Sequence, residues 1–261
     1  MFDTATKSEI TKIAKRLNVP AAALMAVAEV ESAGKTLAKV NGRDEPLIRF
    51  EGHYLHRLLK GQARQKAVRA GLAHKSAGRV KNPRSQTARW ALLDKAIAIN
   101  RIAALSSCSW GLGQVMGSHW QWLGYGSADA LVAEARSGVG GQVALMARYI
   151  EKAKLTGVLR RQDWAKFARA YNGPAYAKNR YDKKMTRAFA RFSAAEDRTP
   201  RLPDTATDSP SGELMFGARG APVKQLQKRL SDYGYVLVCD GFYGLVTDRV
   251  VRQFQRDHGL E

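Results

Sequence analysis

The chain has 261 residues, 45% hydrophobic and 25% charged, and no apolar run approaches the roughly eighteen residues that a membrane-spanning helix requires. Lys and Arg total 43 against 23 Asp and Glu, a formal net charge of +20, so a surface indifferent to polyanions is excluded. Nucleic acid, anionic lipid headgroups and acidic envelope polymers would all be drawn to it.

The N-terminus, "MFDTATKSEITKIAKRL", lacks the basic-then-apolar layout of a secretion signal. Thr6 and Glu9 have capping-box spacing, and Ile10, Ile13, Ala14 and Leu17 follow on one helical face, so a first helix is predicted over residues 7–17. Pro20 suits the start of a second helix and Gly34 its stop. Helical signals return over residues 86–104, 142–154, 164–171 and 178–192. Strand signals are confined to "PLIRFE" and, near the end, "LVCDGFYG". "AAEDRTPRLPDTATDSPSG" holds prolines among Asp, Ser and Thr and reads as an interdomain linker, assigned to residues 196–212. Residues 213–261 then form a small second domain. Cys108 and Cys239 lack metal-ligand spacing, so free thiols and no metal or cofactor are expected.

The second helix carries "VAEVESAGK", with two glutamates. Leu24, Val27, Ala28 and Glu31 share one stripe, which places Glu31 toward the core and Glu29 in solvent. A carboxyl held against apolar neighbours has a raised pKa and keeps its proton, the state required of a general acid. The alternative for Glu31 is a helix-end carboxylate paired with an arginine. "CSWGLGQVMGSHWQWLGYG" packs Trp110, Trp120, Trp122 and Tyr125 among glycines, with Ser109 and Gln114 between them. Aromatic faces beside amides and hydroxyls suit a sugar groove, although tryptophans also serve as core. "ARAYNGPAY" ends a helix on the polar pair Tyr171 and Asn172.

In this order, "ESAG", "SWGLGQVMG" and "AYNG" resemble the motifs of the lysozyme-like superfamily, in particular the N-acetylmuramidase domain of phage endolysins, which also has a phenylalanine-glutamate step, here in "RFEGHYLHRLL". The resemblance implies a mainly α chain: a lysozyme-like α+β catalytic domain with a small sheet over residues 1–195, then the linker and a three-helix wall-binding domain. It makes Glu31 the catalytic acid and implies cleavage between N-acetylmuramic acid and N-acetylglucosamine. Ser109, Trp110, Gln114 and the backbone at Gly113 would line the groove, while Tyr171 and Asn172 would position sugar or water. Glu51 is the candidate second carboxylate, serving catalysis or substrate binding, or else anchoring a salt-bridge network.

The last segment resembles a peptidoglycan-binding domain through "GARGAPVKQLQKRLSDYGY" and "DGFYGLVTDRVVRQFQRDHGL", with Asp240, Gly241, Gly244 and Thr247 in family positions and Tyr243 where phenylalanine is usual. Bacterial peptidoglycan is the expected partner, with anionic lipopolysaccharide or the outer membrane as a further one. The chain is expected to be a monomer, made in a bacterial cytoplasm and released to the wall by a membrane-permeabilising partner. Two other outcomes stay open: lytic transglycosylation, and a non-enzymatic envelope- or nucleic-acid-binding protein. No nucleic-acid recognition module appears in the sequence.

Overall fold

The computed structural model describes residues 2–198, 214, 218, 220–235, 237, 239, 241, 243 and 245–260, excepting the side chains at 196–198, 245, 246 and 249. The chain divides into two compact units, Met1–Glu196 and Asp197–Glu261.

In the first unit, helix α1 spans Thr4–Leu17 and buries Ile10, Ala14 and Leu17. Its cap is Asp3, which accepts from the Thr6 amide at 2.7 Å. The expected Thr6–Glu9 box does not form, because the helix already starts at Thr4 with Asp3 as its cap; Glu9 pairs with Lys12 at 2.6 Å. Helix α2, Ala21–Ser32, ends on Ala33 in the left-handed conformation. Every residue from Ala22 to Ala28 is buried. The helix is therefore not amphipathic but a central helix, apolar all round, and only its last turn meets polar surroundings.

A hairpin follows, β1 at Leu37–Val40 and β2 at Arg43–Pro46. Asn41 and Gly42, both at positive φ, make the turn that such a dipeptide favours. Strands β3 (Ile48–Phe50), β4 (Cys108–Trp110) and β5 (Val115–Met116) form an antiparallel sheet in that order, with Ile48 opposite Trp110 and Ser109 opposite Met116. Between β3 and β4 lie α3 (Gly52–Leu58), α4 (Gly61–Arg69), α5 (Gln86–Ile97) and α6 (Arg101–Ser106). The single helix expected over 86–104 is thus two, because Asn100 caps α6 by accepting from the Ala103 amide. After the sheet come α7 (Ala128–Arg136), α8 (Val139–Lys152), α9 (Thr156–Arg160), α10 (Trp164–Asn172) and α11 (Tyr181–Arg198).

Two apolar cores organise this unit. One surrounds α2 and draws Ile10, Met146, Phe167, Met185 and Phe192 onto it. The other backs the three-stranded sheet with Phe50, Leu55, Leu93, Trp110 and Leu131. Both cysteines are free, as expected, with Cys108 buried inside β4.

In the second unit, α12 (Ala221–Asp232) and α13 (Leu245–Asp257) are the helices among the described residues. Gln227 joins them: its Nε2 donates to Thr247 Oγ1 at 2.9 Å and its Oε1 accepts from the Gly241 amide at 2.8 Å. Tyr243 is buried, and its amide donates to the Ala218 carbonyl. The third helix, the strand expected at "LVCDGFYG" and most of the linker fall wholly or partly outside the described residues, as do Asp240 and Gly244. Helix α11 runs to Arg198, into the segment assigned to the linker.

Candidate active site

An open cleft of about 490 Å³ is lined by Glu31, Arg49, Glu51, Arg89, Ser109, Gln114, Met116, Asn179 and Tyr181. These residues come from the end of α2, from β3 to β5, from α5 and from the start of α11. Glu31 and Glu51, the two carboxylates singled out in the sequence, share the cleft.

Glu31 sits where the apolar helix α2 runs out. The packing around it raises its pKa to about 7, while a hydrogen bond from Asn172 and the more distant charge of Lys184 pull the other way. Asn172 Nδ2 donates to Glu31 Oε1 at 2.6 Å. Asn172 Oδ1 is buried with no hydrogen-bond partner among the described residues, so the amide faces Glu31 with its donor alone. Glu29 differs from expectation. It is not a solvated carboxylate but is largely enclosed and ion-paired with Arg191 of α11.

Glu51 is held at the junction of β3 and α3. Its amide donates to the Ser107 carbonyl at 2.8 Å. Its carboxylate accepts from Arg49 Nε at 2.7 Å, and His53 Nδ1 lies 3.3 Å away. Arg49 and Glu51 stand on the same side of a strand because side chains alternate along it. The salt-bridge reading of Glu51 and its placement in the cleft therefore hold together. Glu45, close to Glu51 in sequence, is buried elsewhere and clamped by both Nε and Nη2 of Arg136.

The glycine-rich segment continues the cleft lining, with Ser109 directly across the sheet from Arg49. Ser109 Oγ donates to Gln114 Oε1 at 2.9 Å, and Gln114 Nε2 donates to the Gly111 carbonyl at 2.8 Å. This locks two polar side chains at the cleft surface. Gly113 lies behind them, where a Cβ would stand 2.6 Å from Met146 Cβ and 3.0 Å from the Tyr171 hydroxyl. Tyr171 donates to the Gly113 carbonyl at 2.7 Å. Burial, then the nearby Glu31, push its hydroxyl well above the usual tyrosine range, so it remains a donor.

Several expected groove residues lie elsewhere. Trp110 does not line the cleft: its ring is 1% exposed, and Nε1 donates to the Leu105 carbonyl at 3.1 Å. The middle strand of a covered sheet is buried on both faces, and an aromatic there packs rather than binds. Tyr171 and Asn172 act on Gly113 and Glu31 rather than forming the lining. Trp122 is 42% exposed and ends an aromatic row through His119, Tyr149 and Tyr171 with ring separations of 5.0 to 5.6 Å. In the second unit Thr247, Tyr243 and the Gly241 amide are engaged in the fold.

Arg89, Asn179 and Tyr181 line the cleft without having been singled out in the sequence. Nothing local to them signals it, since an arginine in the first turn of α5, Asn179 just before α11 and Tyr181 at its start meet in the cleft only through the fold. Among the described residues no group of His, Cys, Asp and Glu could hold a metal.

A family profile for N-acetylmuramidase matches residues 20–193, and one for a peptidoglycan binding domain matches residues 219–261. Among solved structures, that of a Burkholderia AP3 phage endolysin is similar at 36% identity and a TM-score of 0.62, covering 72% of this chain and 71% of that one. No curated protein was found to match.

Proposed function

Because this chain belongs to the N-acetylmuramidase family of glycoside hydrolases, joined to a peptidoglycan-binding domain, we propose that it is an endolysin cutting the β-1,4 bond between N-acetylmuramic acid and N-acetylglucosamine, with Glu31 as general acid. The likeness to a phage endolysin supports the lytic role. One observation carries the chemistry: Glu31, with its pKa raised to about 7, shares an open cleft with a carboxylate already ion-paired to Arg49. Glycoside cleavage needs this division of labour between a protonated acid and an anion.

Glu31 gives its proton to the leaving glycosidic oxygen as the C–O bond breaks. The Asn172 amide then faces the carboxylate that remains and stabilises it. In this reading Glu51, held by Arg49 and by its own amide, takes a proton from the water that attacks the anomeric carbon. Ser109 and Gln114, fixed by each other, supply hydroxyl and amide groups to the sugar. The net charge of +20 adds attraction to acidic wall polymers and to lipopolysaccharide.

The test is mass spectrometry of soluble products from purified peptidoglycan. The wild type should release fragments with reducing N-acetylmuramic acid ends, and Glu31→Gln should be slower by at least about 100-fold. Anhydro-muramic ends would make the protein a transglycosylase. Intact glycan after wild-type treatment would remove the enzymatic reading altogether.

A further inference from the structure

The cleft holds more positive charge than it neutralises. Arg49 is matched by Glu51 at 2.7 Å. Arg89 lines the same cleft, and among the described residues no carboxylate pairs with it. Its Nε donates to the Pro83 carbonyl at 2.8 Å and its Nη1 to the Ile48 carbonyl at 3.1 Å. These two carbonyls fix the guanidinium plane and leave Nη2 without a partner among the described residues. Burial, then the like charge of Arg49, act against the cation and hold its pKa below the ordinary arginine value. Below about pH 7, where Glu31 is mostly protonated and Tyr181 neutral, the lining sets Arg49 and Arg89 against Glu51 alone.

A part-desolvated guanidinium, held by two carbonyls and repelled by its neighbour, keeps one nitrogen as a charged donor for a carboxylate. Sugar hydroxyls would be served as well by an amide. The surplus cation is instead suited to an acidic substrate, and the muramyl unit is the acidic half of the glycan.

We propose that Arg89 is the substrate-selecting cation of this cleft, receiving on Nη2 a carboxylate carried by the muramyl residue, so that acidic wall glycan is preferred to a neutral N-acetylglucosamine polymer. The inference rests on the reading of the cleft as a muramidase active site. The carboxylate has two sources: the lactyl group of a muramyl residue stripped of its peptide, or a free carboxyl of an attached peptide.

Soluble glycan strands in three forms test it: peptide-bearing, amidase-stripped, and stripped strands whose lactyl carboxyls have been converted to amides. For the wild type, KM should be about tenfold lower on carboxylate-bearing strands than on amidated ones. Arg89→Gln should raise KM about tenfold on carboxylate-bearing strands with little change in kcat, and should match the wild type on amidated strands. Arg69→Gln, which removes an exposed charge outside the cleft, should behave as the wild type throughout. Loss of the preference on stripped strands assigns the lactyl carboxylate, and loss on peptide-bearing strands alone assigns the peptide. Equal KM values for the wild type on all three forms would overturn the inference while leaving the muramidase reading intact, and this comparison needs no variant to fold. An equal rise for Arg89→Gln on all three would also overturn it. Failure of the wild type to cut any strand would overturn both readings.

Discussion

Glu31 and Glu51 face one cleft, yet they are held by opposite means: packing at the end of an apolar helix for one, an arginine and a strand-end amide for the other. The first arrangement has a cost that pH reveals. The folded-state pKa of Glu31 is about 7 against an ordinary 4.5, so the folded chain binds this proton more tightly than the unfolded one. The associated stability is fully present below the unfolded value and is lost as pH rises through about 7, a change of about 3 kcal/mol. Glu31→Gln never ionises there. It should match the wild type near pH 4 and exceed its unfolding free energy by roughly 3 kcal/mol near pH 8. Denaturant titrations across pH check this, and parallel curves for the two proteins would refute the burial account. With Glu31 as the proposed acid, wild-type activity should fall as pH rises past about 7, because a general acid that has lost its proton has nothing to give. That Glu31 turns toward packed surroundings was legible in "VAEVESAGK", although the stripe that pointed to it is part of a helix buried all round. The part played by Asn172 was not legible, since a hydrogen bond between α2 and α10 leaves no mark on either segment alone.

The site depends on how closely short elements approach one another. The turn between β4 and β5 comes so near α8 that Gly113 has room for hydrogen alone. Gly113→Ala should force Met146 and Tyr171 outward, cost about 1 to 3 kcal/mol, and slow cleavage by displacing the Ser109–Gln114 pair. Thermal unfolding together with turnover on glycan strands would show it, and a variant with wild-type values in both would mean the turn has slack. Long elements were read well from the sequence: α1, α8, α10 and α11 show their helical period, and α2 is marked by Pro20 before it and Gly34 after it. Short ones were not. Strands β4 and β5 hide in a run of glycines and aromatics with no alternation, and the one at Trp110 is covered on both faces, so its tryptophan looked like a ligand platform when it is core. The β1–β2 hairpin did have a signal, Asn41 followed by Gly42, which outweighs the charged residues around it. The cap of α1 moved to Asp3 because a carboxylate competes better than a threonine for amides at a helix start.

At the scale of the whole chain, a hydrolase unit is followed by a unit of the peptidoglycan-binding type. Tethering raises the local concentration of wall around the cleft without adding a catalytic contact. Removal of residues 200–261 should therefore lower activity on intact wall by about tenfold or more while sparing short soluble strands. Equal losses on both substrates would show instead that the second unit supports the fold of the first. The two glutamates of α2 have a consequence of another kind. Glu31 is partnered by Asn172 of α10, and Glu29 by Arg191 of α11, while Met185 and Phe192 close the core around the same helix. Glu31 thus lies early in the chain, and its surroundings are completed by nearly the last residues of its unit. During synthesis the surroundings that shift the pKa of Glu31 are therefore complete only once that closing segment has emerged and docked.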